Sequence, residues 1–224
     1  MMPKPPEPTP PEPTPPEPTP PEPMPLERVR ELVGEPGGAA VDKVQDHVDH
    51  HLHRFIAHSP FVCLATAHAD GTADCSPRGD HPGFVKVLDP HTLAIPDRVG
   101  NNRLDTFENL ATDPRIGLVF LVPGHRESLR VNGTAYLSED PDVLVRLEAE
   151  GKVPKVAVIV RVREAYLHCG RAILRARLWD PGSLSLADHV PTMGEVIAAR
   201  VGEGLYSADA IDEDLERSAY RNLY

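Results

Sequence analysis

The sequence predicts a mainly β (α+β) fold, an antiparallel sheet or small barrel of about six strands with flanking helices. Turn signals at Asp70-Gly71 and Asp89-Pro90 each separate two strand-like runs, which indicates hairpins. Several runs alternate apolar and polar residues, as strands with one buried face do. The strand-helix alternation of a doubly wound parallel sheet is missing.

The predicted elements follow from local periodicity. Apolar residues at helical spacing predict a first helix at 41–58, which Pro60 ends. Hairpins follow at 61–79 and 84–95, with Pro77 expected at a strand end or an edge because proline donates no ladder hydrogen bond. The remaining predictions are a short helix after 103, strands at 115–123, 128–139 and 155–168, a small helix at 142–150, a helix or irregular excursion at 172–179, and helices at 191–201 and 209–220.

The first 25 residues differ from the rest of the chain. They repeat PPEPT at 5–9, 10–14 and 15–19, followed by PPEPM at 20–24. Such a run cannot bury enough apolar surface to offset its ordering entropy. We therefore predict a disordered Pro/Glu/Thr arm at 1–25, either a spacer or a ligand for a proline-binding partner, and a single folded domain at 26–224.

Composition excludes several classes of protein. The formal net charge is −11, which argues against broad binding to nucleic acid or to anionic membranes. The three cysteines form no Cys-x-x-Cys pair, so a reducing compartment fits better than a disulfide framework. No stretch resembles a signal peptide or a membrane span. These observations predict a cytoplasmic location, no membrane and no nucleic-acid partner.

The stretch IPDRVGNNRLDTF at 95–107 combines cations and amides at the start of a predicted helix. A helix N-terminus presents unpaired N–H groups, which Asn101 or Asn102 can cap. Gly100 lets the backbone turn, and Arg98 and Arg103 suit bidentate phosphate contacts. Either this elbow binds a phosphate monoester, or it is a capped surface helix whose arginines pair with Asp97, Asp105 or Glu108.

Two polar strand faces accompany the elbow. One carries Asp74, Ser76 and Arg78, and the other carries Ser128, Arg130 and Asn132. Each face either meets water or lines a ligand groove. Histidines are frequent at 47–58, but no His-Glu-x-x-His pattern or third ligand accompanies them, so no metal site is predicted.

Four segments, in order, resemble the pyridoxamine 5′-phosphate oxidase-like family, and within it the bacterial branch of uncharacterised FMN-dependent enzymes. They are SPFVCLATAHADGTADCSPRGDHPGF, IPDRVGNNRLDTFENLATDPRIGLVFLVPG, ESLRVNGTAYL and HCGRAILRARLWDP, and the resemblance covers roughly residues 40–185. It implies a six-stranded antiparallel split β-barrel of the FMN-binding type. It also implies a homodimer with FMN in two grooves at the subunit interface.

The resemblance also implies roles for individual residues. Asn101, Asn102 and Arg103 match the phosphate-binding position, with assistance from Arg98. Ser76 and Arg78 match the segment along the flavin ring and ribityl chain. Ser128 matches a polar residue that reaches the flavin from the neighbouring strand, often across the dimer, and Trp179 approaches the isoalloxazine edge. No catalytic acid or base is implied.

Two departures from the family pattern limit what function can be transferred. The region RARLWDPGSLSLADHV lacks the Arg-Leu-His signature of members that oxidise pyridoxamine phosphate, and Asn-Asn replaces Ser-Arg in the elbow. The resulting hypothesis is an FMN-dependent oxidoreductase of oxidase or flavin-reductase type, acting on an undefined small-molecule redox substrate. The alternatives are a non-catalytic flavin-binding or storage protein, and a binder of deazaflavin or, given the His-rich helix, haem.

Overall fold

The structure is a computed structural model that describes residues 22–201, 207–221 and 223–224. Most of the predicted arm at 1–25 therefore lies outside the described residues. The chain divides into two compact units, residues 1–38 and 39–224. In the first unit, α1 (Leu26–Val33) is an exposed helix that ends at Gly34, whose φ is 82°. All remaining elements belong to the second unit.

One antiparallel sheet of seven strands organises the second unit, in the order β2-β1-β5-β6-β7-β4-β3. The strands are β1 (Phe61–Ala67), β2 (Ala73–Gly79), β3 (Lys86–Asp89), β4 (Thr92–Pro96), β5 (Arg115–Leu121), β6 (Ser128–Ser138) and β7 (Ala157–His168). The structure has seven strands rather than the predicted six. Both predicted hairpins form with two strands each, and β4 pairs with β7 as well as with β3. The expected split barrel takes the form of an unclosed antiparallel sheet, since no ladder of the described residues joins β2 to β3.

Local turn chemistry fixes the first hairpin where the sequence predicts it. The Asp70 carboxylate accepts hydrogen bonds from the Thr72 N–H (2.9 Å) and the Thr72 hydroxyl (2.7 Å). Gly71 takes a left-handed conformation, with φ at 93°. Pro77 lies opposite Cys63 on β2, which is an edge strand of the sheet. The predicted edge position of Pro77 is therefore confirmed.

The predicted helix at 41–58 is wrong in its first half. Only α2 (Ala39–Asp42) and α3 (His50–His58) are helical. Between them, Gln45 pairs with Ala165 of β7 through two backbone hydrogen bonds of 3.1 and 2.7 Å, which a helix would not permit. Asp49 then caps α3 by accepting from the N–H groups of His51 and Leu52, both at 2.9 Å.

The other α-helices occur near their predicted positions. They are α4 (Asp105–Thr112), α5 (Pro141–Val145), α6 (Arg171–Ala176), α7 (Met193–Val201) and α8 (Ala208–Arg221). A 3₁₀ helix at Pro181–His189 has no counterpart among the predictions. The small helix predicted at 142–150 is shorter than expected. For residues 172–179 the sequence left a helix and an irregular excursion as alternatives. In the structure, a short helix ends at Ala176 and an irregular turn follows it. None of the described helices has the length and apolar character to cross a bilayer.

The sheet is covered on both faces at one end. The main core joins Leu52 and Ile56 of α3 to inward residues such as Leu64, Leu118 and Val131. A second cluster packs Leu144 and Leu147 against the opposite face of β4 and β7. Burial on both faces accounts for the continuous apolar runs of β4 and β7. β2 is less buried and presents its polar residues along the sheet edge.

Candidate functional site

A groove of about 580 Å³ lies between β2, the loop after β4 and the first turn of α4. Its volume is within the roughly 300–1,000 Å³ typical of small-molecule sites. Six of the eight predicted site residues line it, namely Ser76, Arg78, Arg98, Asn101, Asn102 and Arg103. The sheet edge and the elbow, which are separate in sequence, therefore face the same space.

A hydrogen-bonded network joins β2 to α4 in this groove. The Asp74 carboxylate accepts from the Ser76 hydroxyl at 2.8 Å and from the Thr106 hydroxyl at 3.1 Å. Arg78 donates to the Thr106 hydroxyl at 3.4 Å and to the Pro77 carbonyl at 2.9 Å. Thr106 is buried. The network thus fixes Ser76 and Arg78 relative to the start of α4.

The elbow differs in detail from the prediction. α4 begins at Asp105, after Leu104, and no side chain caps it. The Asn101 carboxamide oxygen instead accepts from the Arg103 N–H at 3.0 Å, so it closes a turn in the loop rather than capping the helix. Asn102 takes the left-handed conformation, with φ at 56°, and Gly100 does not. The predicted Asn cap is therefore wrong, and the role of Gly100 in letting the backbone turn stays a prediction.

Arg103 lies at the rim of the groove, with 74 % of its side chain exposed. Its guanidinium donates to the Asp105 carboxylate at 2.8 Å. This hydrogen bond holds the pKa of Asp105 below its usual value. Exposed ion pairs of this kind contribute little free energy. An anion can therefore bind the Arg103 guanidinium in place of Asp105 at a small cost in free energy.

Arg98 serves a different purpose from Arg103. Its Nε donates to the Asp80 carboxylate at 2.6 Å and its Nη2 donates to the Leu147 carbonyl at 2.8 Å. Only 16 % of the side chain is exposed. These contacts anchor the loop, and they occupy two of the nitrogens that a phosphate would require. The contact of Arg98 with a phosphate stays a prediction.

Asp97 is a groove residue that the sequence prediction did not select. It is half-buried at the end of β4. Burial raises the pKa of its carboxyl group, and the charges of Arg78 and Arg98 oppose that effect. Asp74 and Thr106 are also absent from the predicted site. The sequence places Asp74 on the same polar face as the predicted site residues Ser76 and Arg78, whereas no sequence signal marks Thr106.

Ser128 and Trp179 do not reach the groove of their own chain. Ser128 is buried at the start of β6, opposite His168. The Trp179 indole N–H donates to the His125 carbonyl at 2.8 Å. Contact of either residue with a cofactor stays a prediction. In the described part of the chain, no three His, Cys, Asp or Glu side chains form a group suited to a metal ion.

The chain is similar to several solved structures at low sequence identity. No curated protein matches the chain. Among solved structures, HupZ from Group A Streptococcus is 17% identical, with a TM-score of 0.45 over 54% of this chain and 93% of that chain. An FMN-binding protein from Syntrophomonas wolfei is 11% identical, with a TM-score of 0.43 over 63% and 95% of the two chains.

A family model described as pyridoxamine 5′-phosphate oxidase matches residues 48–169, which is more than half of the chain. The match includes the whole sheet, β2 with its polar face and the elbow before α4. The chain therefore belongs to the pyridoxamine 5′-phosphate oxidase family.

Proposed function

We propose that the groove binds FMN and that the protein is an FMN-dependent oxidoreductase with a small-molecule redox substrate. The observation that supports this most directly is the convergence of Arg78, Arg103 and two asparagine side chains on one groove at the sheet edge. FMN carries a phosphate monoester on a flexible chain and a planar ring with several hydrogen-bonding atoms. Its site must supply cations at one end and polar groups along a flat surface.

The residues present fit these requirements. Arg103 is a weakly paired cation at the rim, and the first turn of α4 beside it adds the partial positive charge of a helix N-terminus. Asn101 and Asn102 contribute carboxamide groups at the same end. Ser76 and Arg78 alternate along β2, where a strand face offers a flat support. Phe84 and Phe107 supply apolar surface for the ring.

The carboxylates of the groove oppose phosphate binding. Asp74, Asp97 and Asp105 all line it. Asp74 already accepts two hydrogen bonds and lies near Arg103, while Asp105 is paired with Arg103. The local charge is therefore close to balanced, so we expect moderate rather than very tight affinity for the phosphate.

FMN, when bound, supplies the electron or hydride transfer. The protein's own residues hold and orient it. Arg103 and the asparagines bind the phosphate end, and the network of Asp74, Thr106 and Arg78 keeps the β2 face in place relative to that end. No side chain is assigned as an acid or a base.

We further propose a homodimer in which each groove is completed by the second chain. Ser128 and Trp179 lie outside the groove of their own chain, yet the family resemblance gives both a place near the flavin. A second copy could bring them to it. Size-exclusion chromatography with light scattering measures this state, and a monomer that binds FMN at full affinity would contradict it.

The decisive experiment begins with the visible spectrum of the purified protein and the mass of any cofactor released by acid. Titration with FMN and with riboflavin, followed by flavin fluorescence, then gives both affinities. We expect a flavin spectrum and tighter binding of FMN than of riboflavin. Protein that neither contains nor takes up FMN would refute the proposal. If the protein binds flavin, but no pair of nicotinamide donor and electron acceptor supports steady turnover, a storage role would be favoured.

A further inference from the structure

Tyr224 contacts Arg98, which lines the groove, and two residues outside the groove lining, Asp80 and His81. Its hydroxyl donates to the Asp80 carboxylate at 2.5 Å. Its ring is nearly parallel to the ring of His81, at 13° and 6.0 Å between centroids, and it lies 5.8 Å from the Arg98 guanidinium. The Lys152 ammonium group donates to its backbone oxygen. Three contacts thus hold the side chain, and a fourth holds the backbone, of a residue that belongs to no described helix or strand.

Asp80 connects Tyr224 to the groove. Only 2 % of the Asp80 side chain is exposed, and both of its oxygens are used. Oδ1 accepts from the Tyr224 hydroxyl and from the His81 N–H, while Oδ2 accepts from Arg98. A buried carboxylate with three donors has little freedom to rotate. Loss or movement of the Tyr224 hydroxyl therefore lets the Asp80 carboxylate shift relative to the Arg98 guanidinium.

Arg98 in turn anchors the loop that forms one wall of the groove. On the strand side, the loop is fixed by the hydrogen bond from the Asp97 N–H to the Val156 carbonyl, at 3.0 Å. Beyond Arg98, residues 99–104 are exposed. The Arg103 N–H donates to Asn101 within the loop, and the Arg103 guanidinium donates to Asp105 at the start of α4. The Arg98 side chain, through Asp80 and the Leu147 carbonyl, thus ties the β4 end of this loop to the body of the fold.

We propose that Tyr224 is a positioning residue of the flavin site, acting through Asp80 and Arg98 on the loop that carries Asn101, Asn102 and Arg103. This inference rests on the proposed function, because the loop is the proposed phosphate site. The hydrogen bond to Asp80 raises the pKa of Tyr224 to about 12, so the hydroxyl remains a donor throughout the neutral range. The contact is therefore a fixed support rather than a pH switch near neutrality.

The test compares Tyr224→Phe, which removes only the hydroxyl, with the control Tyr220→Phe. Tyr220 lies on α8 and is 74% exposed. We expect Tyr224→Phe to raise the Kd for FMN at least about threefold, because fewer molecules hold the loop in its binding position. Riboflavin lacks the phosphate, so its Kd should change little. Equal effects on both flavins, or none on FMN, would refute the positioning role.

A second measurement does not require flavin. Trypsin cleaves after arginine, and Arg103 lies on the exposed loop. Without flavin, cleavage after Arg103 should be faster in Tyr224→Phe than in the wild type and unchanged in Tyr220→Phe. An unchanged cleavage rate would refute the inference. If the wild type binds no flavin but cleavage accelerates, then the proposed function fails while the support of the loop by Tyr224 stands.

Discussion

Arg98 and Asp80 form an ion pair in which the carboxylate is almost completely buried, with the Nε and Oδ2 atoms 2.6 Å apart. The sequence suggests a different use for Arg98, as a contact to an external phosphate. In the structure, this arginine joins the loop after β4 to the end of β2 and to the Leu147 carbonyl. The position of the groove loop therefore depends on Arg98, which forms its hydrogen bonds with Asp80 and Leu147 rather than with a ligand.

Breaking this pair should destabilise the protein strongly. In Asp80→Asn, the buried Arg98 loses its counter-charge, and loss of one partner of a buried pair costs about 3 kcal/mol or more. Urea unfolding measures the change in the free energy of unfolding. Asp105→Asn is the matched control, because it removes the partner of the exposed Arg103 and should leave the urea midpoint unchanged. Similar midpoints for Asp80→Asn and the wild type would contradict a stabilising pair.

The same carboxylate should make stability depend on acid pH. Burial opposes the ionisation of Asp80, but hydrogen bonds from Tyr224 and Arg98 outweigh burial and hold its pKa below the ordinary value of 3.8. A carboxyl with a lowered pKa stabilises the fold above its unfolded pKa, and this contribution is lost as pH falls through the folded pKa. The difference in unfolding free energy between the wild type and Asp80→Asn should be constant from pH 7 to pH 5 and shrink below about pH 4. A pH-independent difference would exclude this linkage.

The exposed arginine of the elbow should discriminate between flavins. Arg103→Ala removes a charged donor to the proposed phosphate, so the Kd for FMN should rise at least about tenfold, and the Kd for riboflavin should hardly change. Arg115→Ala is a close control. Arg115 is 77 % exposed and pairs with an aspartate two residues away, as Arg103 does, but it lies outside the groove. Equal losses for FMN and riboflavin in Arg103→Ala would show that the elbow does not hold phosphate.

The carboxylate next to Arg103 should have the opposite effect. In Asp105→Asn, the guanidinium no longer pairs with a neighbouring carboxylate, and one negative charge leaves the rim of the groove. FMN should then bind more tightly than in the wild type, and the gain should be larger at low ionic strength, where exposed charges are less screened. Fluorescence titration at two salt concentrations measures both effects. Weaker FMN binding in this variant would imply that Asp105 positions the loop instead.

A glycine at the centre of the sheet should tolerate no side chain. At Gly133, the register between β6 and β7 shifts, and an added Cβ would lie 2.0 Å from the Arg161 carbonyl oxygen. Gly133→Ala should therefore destabilise the protein by at least about 1–3 kcal/mol, as overpacking does. Gly100→Ala is the control, because its nearest atom would lie at 3.9 Å and its φ is not left-handed. A thermal midpoint for Gly133→Ala equal to that of Gly100→Ala would contradict the observed packing.

Local chemistry made much of the fold predictable from the sequence alone. The turn at Asp70-Gly71 needs only neighbouring atoms to form, so the sequence predicts the first hairpin, and β1 and β2 pair across that turn in the structure. The alternation along β2 likewise predicted a single polar face. Four segments in order indicated the family, which the matched residues 48–169 confirm. The groove brings the predicted elbow and the predicted polar face together.

The remaining features depend on residues that are distant in sequence. The expected helix at 41–58 is interrupted because Gln45 pairs with Ala165, and helical periodicity contains no information about that partner. Arg98 binds Asp80, which lies on the other side of the second hairpin, rather than the carboxylates near it in sequence. Thr106 joins the groove only because α4 packs next to β2. The sequence alone therefore determined the turns, the polar faces of the strands and the family. The tertiary structure decided that Arg98 supports the groove and that Arg103 remains available to a ligand. The reason is that folding brings the buried Asp80 carboxylate to Arg98, whereas Arg103 pairs with an exposed carboxylate next to it.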